Sequence, residues 1–159
     1  LGADKITLNS HALTCPSFIT EAASVFGSQC IVVSIDCRKS RNGTYEVFGY
    51  GGSFKTGLCP TKWAAQCVSL GAGEIFISSI DRDGTFEGYD IGLIKKVCSS
   101  VNVPVIANSG AGLLVDLVEV VQMTNASAVA CSSLFAFTDN KPVKAKAFME
   151  DHNVKIRPL

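Results

Sequence analysis

Short blocks in which apolar residues alternate with polar ones, or run together, give way along this chain to longer blocks in which they recur every three or four positions. The short blocks predict strands over Ala3–Asn9, Cys30–Asp36, Glu74–Ile80, Val103–Asn108 and Ser127–Phe135. The longer ones predict helices over Pro16–Phe26, Cys59–Leu70, Ile91–Ser100, Leu113–Met123 and Val143–Asp151. Gly27 and Gly71 stop the first two helices, Thr14 or Ser17 would cap the first, and Pro60 fits the opening turn of the second. Asn42-Gly43 is a turn signal, and Thr44–Tyr50 alternates like one hairpin arm halted by Gly51-Gly52, an excursion on the loop side of the second strand.

Strands separated by helices mean βα repeats and a parallel sheet. Gly2-Ala3-Asp4-Lys5, Gly71-Ala72-Gly73-Glu74 and Asn125-Ala126-Ser127 each close a helix and open a strand, as the corner of a repeated unit would. A barrel and a doubly wound sheet both fit that alternation. Parity separates them. Lys5, Thr7 and Asn9 share one strand face while Ile6 and Leu8 share the other; Ser34 and Asp36 oppose Ile31, Val33 and Ile35; Glu74 and Ser78 oppose Ile75 and Ile77. One apolar face for helices and one polar face for an interior suit a barrel, because an open sheet covered on both sides would strand those polar groups.

Composition narrows the class. The chain has 159 residues, enough for one domain with a real core. Fourteen basic residues match fourteen acidic ones, so electrostatics give no case for nucleic acid or an anionic membrane. Mean hydropathy is +0.30, yet no apolar run approaches the roughly 20 residues of a membrane helix. The first residue is Leu and no signal segment opens the chain, so the expectation is the middle of a longer protein. Seven cysteines show no CxxC pair and no His at ligand spacing, which points away from zinc and disulfides and toward the reducing cytoplasm. No metal or cofactor is expected. Cys37, beside Asp36 and Arg38, has the neighbours of a reactive thiol but no His nearby in sequence.

The densest chemistry follows the Glu74 strand, which ends abruptly in Asp81, Arg82, Asp83, Gly84, Thr85, Glu87 and Gly88. In parallel α/β proteins the loops at the carboxyl ends of strands carry the site. Asp36 ends the second predicted strand in the same way. From its neighbours alone it is as readily a helix cap or the partner of Arg38 as a catalytic carboxylate.

GADKITLNS, FGSQCIVVSIDCRK, TGL, GAGEIFISSIDRDGTFEGYD, VPVIANSGAG and KAFMEDHNVKIR resemble, in order and spacing, the cyclase subunit family of imidazole glycerol phosphate synthase. The likeness covers nearly the whole chain, and DRDGTxxGYD with IDCRK favours the cyclase over the sister ribotide isomerase of histidine biosynthesis. The resemblance implies a (β/α)8 TIM-type barrel, of which residues 1–159 match the fourth to eighth βα units, about five, with the three N-terminal units absent. It implies a carbon-nitrogen lyase. Ammonia from a glutaminase partner adds to the ketone of a bis-phosphorylated ribulosyl aminoimidazole carboxamide ribotide, and the adduct yields imidazole glycerol phosphate and aminoimidazole carboxamide ribotide.

Carried onto this sequence, the resemblance makes Asp36 one of two acid/base carboxylates, the other lying outside this chain, so that residues 1–159 alone would be inactive. One phosphate cradle falls on Asn108, Ser109, Gly110 and Gly112 with Ser132 and Ser133; Ser78, Asp83 and Gly84 stand beside it, Asp83 acting through hydrogen bonds because a carboxylate repels phosphate. The other cradle falls on Asn9 and Ser10, residue types equally suited to capping a helix. Lys5, Gln29 and Glu74, at the opposite strand ends, match a charged floor through which ammonia enters. Two positions depart from the pattern. Asn108-Ser109-Gly110 stands where the family often has a serine and two glycines, and Ala136 where a His or similar residue is frequent. A paralogous sugar amidotransferase synthase, the sister isomerase and a non-catalytic half-barrel subunit are the alternatives.

Overall fold

The structure is a computed structural model that describes residues 2–157. Its strands are β1 (Ile6–Leu8), β2 (Ile31–Lys39), β3 (Tyr45–Gly49), β4 (Phe54–Lys55), β5 (Glu74–Ser79), β6 (Val105–Asn108) and β7 (Ala128–Val129). Its helices are α1 (Ser10–Thr14), α2 (Ser17–Phe26), α3 (Pro60–Ser69), α4 (Ile91–Cys98), α5 (Leu114–Thr124), α6 (Ser133–Ala136) and α7 (Pro142–Asp151). The strands form one sheet in which β1, β2, β5, β6 and β7 are parallel neighbours in chain order. A doubly wound sheet needs a reversal of strand order, and none occurs among the described residues. With right-handed crossovers between successive neighbours, every helix falls on one face and the other face is left as an interior. The fold is therefore of the α/β barrel type.

Parity produces this arrangement residue by residue. Ile31, Val33, Ile35, Ile75 and Ile77 are fully buried and join the buried faces of the helices in one cluster with Ile19, Leu93, Val97 and Leu117. Each such side chain contributes about 1.5–3 kcal/mol by leaving water. The alternate positions Ser34, Asp36, Phe76 and Asn108 are half-buried on the other face. Register sets them in rows: Ser34 pairs with Phe76 and Phe76 with Ile106, while Asp36 pairs with Ser78 and Ser78 with Asn108.

Several predicted boundaries shift, each for a reason outside the local pattern. The second strand runs on to Lys39 because β3 pairs antiparallel with it from Asp36 to Lys39, on the same edge that β1 occupies from Ile31 to Val33. β1 is limited to the three residues that pair there. The fourth parallel strand starts at Val105, after Pro104, which has no N–H and contributes only its carbonyl to Ile75. The last predicted strand, Ser127–Phe135, is corrected most. Its ladder ends with the Ala130 N–H on the Ala107 carbonyl, and Ser133–Ala136 then forms the short helix α6. An apolar run of that length fits either period. Thr14 and Ser17 cap nothing: Thr14 bonds back to the Ser10 and His11 carbonyls, and α2 starts after Pro16 without a side-chain cap.

The cysteines sort by burial. Cys37 points into the core, where desolvation, then the charge of Asp36, pushes its thiol far up; this removes it as a nucleophile. Burial likewise pushes Cys67 up to about 12. Cys59 is exposed before α3, and its hydrogen bond with Thr61 lowers its pKa. Ellman's reagent at pH 8 should therefore react first with Cys59, a phase that Cys59→Ser removes, and with Cys37 and Cys67 only after denaturation. Rapid labelling of Cys37 in the folded protein would contradict this packing.

Candidate active site

At the carboxyl end of the sheet, Asp36 is held from β1's side. The Asn9 amide donates to Asp36 Oδ2 at 3.0 Å and to the Ser34 carbonyl at 3.2 Å. Asn9 occupies the cap position of α1, yet its side chain makes no capping bond there. Ser10 Oγ donates to Asn9 Oδ1 at 3.0 Å and accepts from the Tyr50 N–H at 2.8 Å, which ties the pair to the end of the β2–β3 excursion. Both residues thus orient Asp36. The two readings left open for that carboxylate are closed by its surroundings. β2 continues past it, so it heads no helix, and Arg38 lies over Phe48 and pairs with Asp81 at 3.6 Å instead.

Across the row from Asp36, Asn108 Nδ2 donates to Ser78 Oγ at 3.1 Å and to Ser109 Oγ at 3.2 Å. Ser78 and Ser109 are both buried. The Ser78 hydroxyl is left with a proton to donate and Asn108 with its carbonyl as an acceptor. A carboxylate, a hydroxyl and an amide in register on three neighbouring strands can accept, donate and orient protons on a molecule lying across the mouth.

Beyond Asn108 lies a cavity of about 90 Å³, lined by Asp83, Gly84, Asn108, Ser109, Gly110, Ser132 and Ser133 among others. Its walls come from the β5–α4 loop, the turn after β6 and the start of α6. The β5–α4 loop is fastened at several points. Asp81 accepts from the Lys39 N–H at 2.7 Å, Arg82 donates to the Glu87 carbonyl at 2.9 Å, and the Gly88 N–H donates to the Gly110 carbonyl at 2.9 Å. Ser109 takes φ +77°, a left-handed conformation that costs an L-residue about 1–2 kcal/mol. The Cβ that sets Ser109 apart is accommodated there, with the hydroxyl turned to Asn108. The exposed Asp83 carboxylate has no hydrogen-bond or ion-pair partner among the described residues and is available as an acceptor.

Three cavity residues were not legible beforehand: Phe86, Ala111 and Cys131 also line it. The position of Cys131 directly before Ser132 was the available signal for one. Nothing local announces Phe86, whose φ is +61°. Gly112, grouped with the cradle by sequence, packs against Phe86 instead and does not line the cavity.

At the amino ends of the strands, Lys5 and Glu74 form a salt bridge. The Lys5 side chain is 46% exposed and that of Glu74 19%. Gln29 does not join them; its side chain folds back over Gly27.

A chain-ordered βα sheet with a polar row and a small cavity at its carboxyl ends defines a protein of the TIM-barrel type. The chain belongs to the family described as Histidine biosynthesis protein, which matches residues 1–139. It is similar to the imidazole glycerol phosphate synthase subunit HisF of Hydrogenobaculum sp. (strain Y04AAS1), at 45% identity over 156 residues. That alignment takes in 98% of this chain and 62% of the relative, so the chain spans less than two thirds of that protein's length. Among the described residues no helix is long and apolar enough to cross a membrane.

Proposed function

We propose that this chain carries cyclase chemistry of the imidazole glycerol phosphate synthase kind, as a carbon-nitrogen lyase of histidine biosynthesis. The observation that carries the reading is the Asn9–Asp36 hydrogen bond, which fixes a carboxylate in one row with Ser78 and Asn108 at the sheet's mouth. In this reading the substrate is a ribulosyl aminoimidazole carboxamide ribotide with a phosphate at each end. Ammonia adds to its ketone carbon, water leaves, the bond to the aminoimidazole carboxamide ribotide breaks, and the imidazole ring closes. Asp36 takes a proton from one reacting group and returns it to another, as an oriented carboxylate within hydrogen-bond reach can. Ser109, Gly110, Ser132 and Ser133 cradle one phosphate, with Asp83 and Gly84 beside it. Asn9 and Ser10, which the resemblance put in the other cradle, act here on Asp36.

The second carboxylate and the further strands of an eight-stranded barrel lie, in this reading, outside residues 1–159, which are inert by themselves. It is supported by the single-edge pairing of β1 and β7 among the described residues. Seven unpaired cysteines support a reducing cytoplasmic setting.

A glutaminase partner supplies the ammonia, entering past Lys5 and Glu74 at the opposite end of the sheet. The protein as its gene encodes it should form imidazole glycerol phosphate from ammonium alone, and from glutamine once the glutaminase is added. Glu74→Ala should leave the ammonium-driven rate within about twofold and lower the glutamine-driven rate roughly tenfold. Equal loss in both assays would remove Glu74 from the ammonia path. Isomerisation of a ribotide without ammonia would transfer the chain to the sister activity, and no turnover at all would favour the interaction subunit.

A further inference from the structure

The cavity beyond Asn108 has about 90 Å³ of space, roughly three waters' share of liquid volume. It has room for a phosphate group and none for the molecule that bears it. The rest of any phosphorylated ligand must therefore cross the rim. Two aromatic rings stand there in water: Phe86, itself part of the cavity wall, is 41% exposed, and Phe137, just after α6, is 77% exposed. Their centroids are 6.5 Å apart and their planes meet at 68°.

The position of Phe86 is imposed by its surroundings. At φ +61° it holds a conformation that bulky residues rarely adopt. Gly112 is what lets it stay, since a Cβ on Gly112 would lie 2.4 Å from the Phe86 carbonyl oxygen and 2.7 Å from its Cβ. The same loop is clamped by Arg82 on Glu87 and by Gly88 on Gly110. An apolar ring is thus held at a polar cavity on a fastened loop, with a second ring packed edge-on beside it and both partly in solvent.

We propose that Phe86 and Phe137 form an aromatic lip that stacks on the flat heterocycle of a ribotide whose phosphate occupies the cavity below. Flat rings gain by packing on such faces, and a simple sugar phosphate has none to offer. The lip would therefore separate phosphorylated ligands by what they carry beyond the ribose. The inference rests on the phosphate reading of the cavity given above and adds the two residues that would hold the heterocycle.

The test uses two probes that share a ribose 5-phosphate and differ in the flat ring: ribose 5-phosphate itself and aminoimidazole carboxamide ribotide. In calorimetric titrations of the protein as its gene encodes it, the ribotide should bind roughly 5- to 100-fold more tightly. Phe86→Ala, which keeps the Cβ and its contact with Gly112, and Phe137→Ala should each remove most of that preference. Ribose 5-phosphate should bind the unaltered protein and Phe137→Ala alike, which guards against simple misfolding. Equal binding of the two probes by the unaltered protein, or a preference that survives both substitutions, overturns the lip alone. Failure of both probes to bind overturns the lip and the phosphate reading together.

Discussion

In the protein as its gene encodes it, Asp36→Asn should lower ammonia-driven formation of imidazole glycerol phosphate by roughly 100-fold or more while leaving the fold intact. The substitution keeps the size and planarity of the side chain, and an amide oxygen at the position of Oδ2 can still accept the 3.0 Å bond from Asn9. What disappears is the carboxylate that the proposed mechanism uses to take up and return a proton. Arg38 already pairs with Asp81, so removing the Asp36 charge leaves no ion pair broken. Thermal unfolding should consequently move little, and the loss should fall on turnover at saturating ammonium with no glutaminase present. Turnover near that of the unaltered protein in that assay would remove Asp36 from the mechanism and, with it, the main support for cyclase chemistry here.

How far these features were legible in the chain depended on how local their causes are. The faces of β2 and β5 were readable because a strand's period of two is written into adjacent residues: Ile31, Val33 and Ile35 on one side, Ser34 and Asp36 on the other. The end of β2 was not, since Cys37, Arg38 and Lys39 are strand only because β3 returns to pair with them. Arg38 was read against its neighbour Asp36, whereas its partner Asp81 comes from the next parallel strand's loop. Asn9 was placed at a phosphate by the resemblance, with a helix cap as the alternative; only the fold shows its amide turned to Asp36. The apolar run after Ser127 contains no signal that separates a two-residue strand followed by a helical turn from one long strand. Phe86 was the least legible, because its left-handed backbone is set by Gly112, a residue of another loop.

Gly110→Ala should destabilise the protein by about 2–5 kcal/mol and weaken phosphate binding at the same time. Gly110 sits at φ +105°, so any side chain there costs about 1–2 kcal/mol. Its Cα also faces backbone, not open space: an added Cβ would lie 2.3 Å from the Gly88 carbonyl oxygen and 3.1 Å from Arg82 Cβ. Forcing an extra methyl into such packing costs typically about 1–3 kcal/mol more. The strands on either side are anchored in the core, so relief must come from the β5–α4 loop moving outward. That movement breaks the Gly88 N–H bond to the Gly110 carbonyl and opens the cavity that Asp83, Gly84 and Ser109 line. Gly57→Ala is the matching control, because Gly57 also has a positive φ, +74°, with nothing within 4 Å of an added Cβ. It should cost only the conformational part, about 1–2 kcal/mol, and leave phosphate binding alone. Equal midpoints in urea unfolding for the two variants, with unchanged binding of ribose 5-phosphate by Gly110→Ala, would show that the Gly88–Gly110 contact does not shape the cavity.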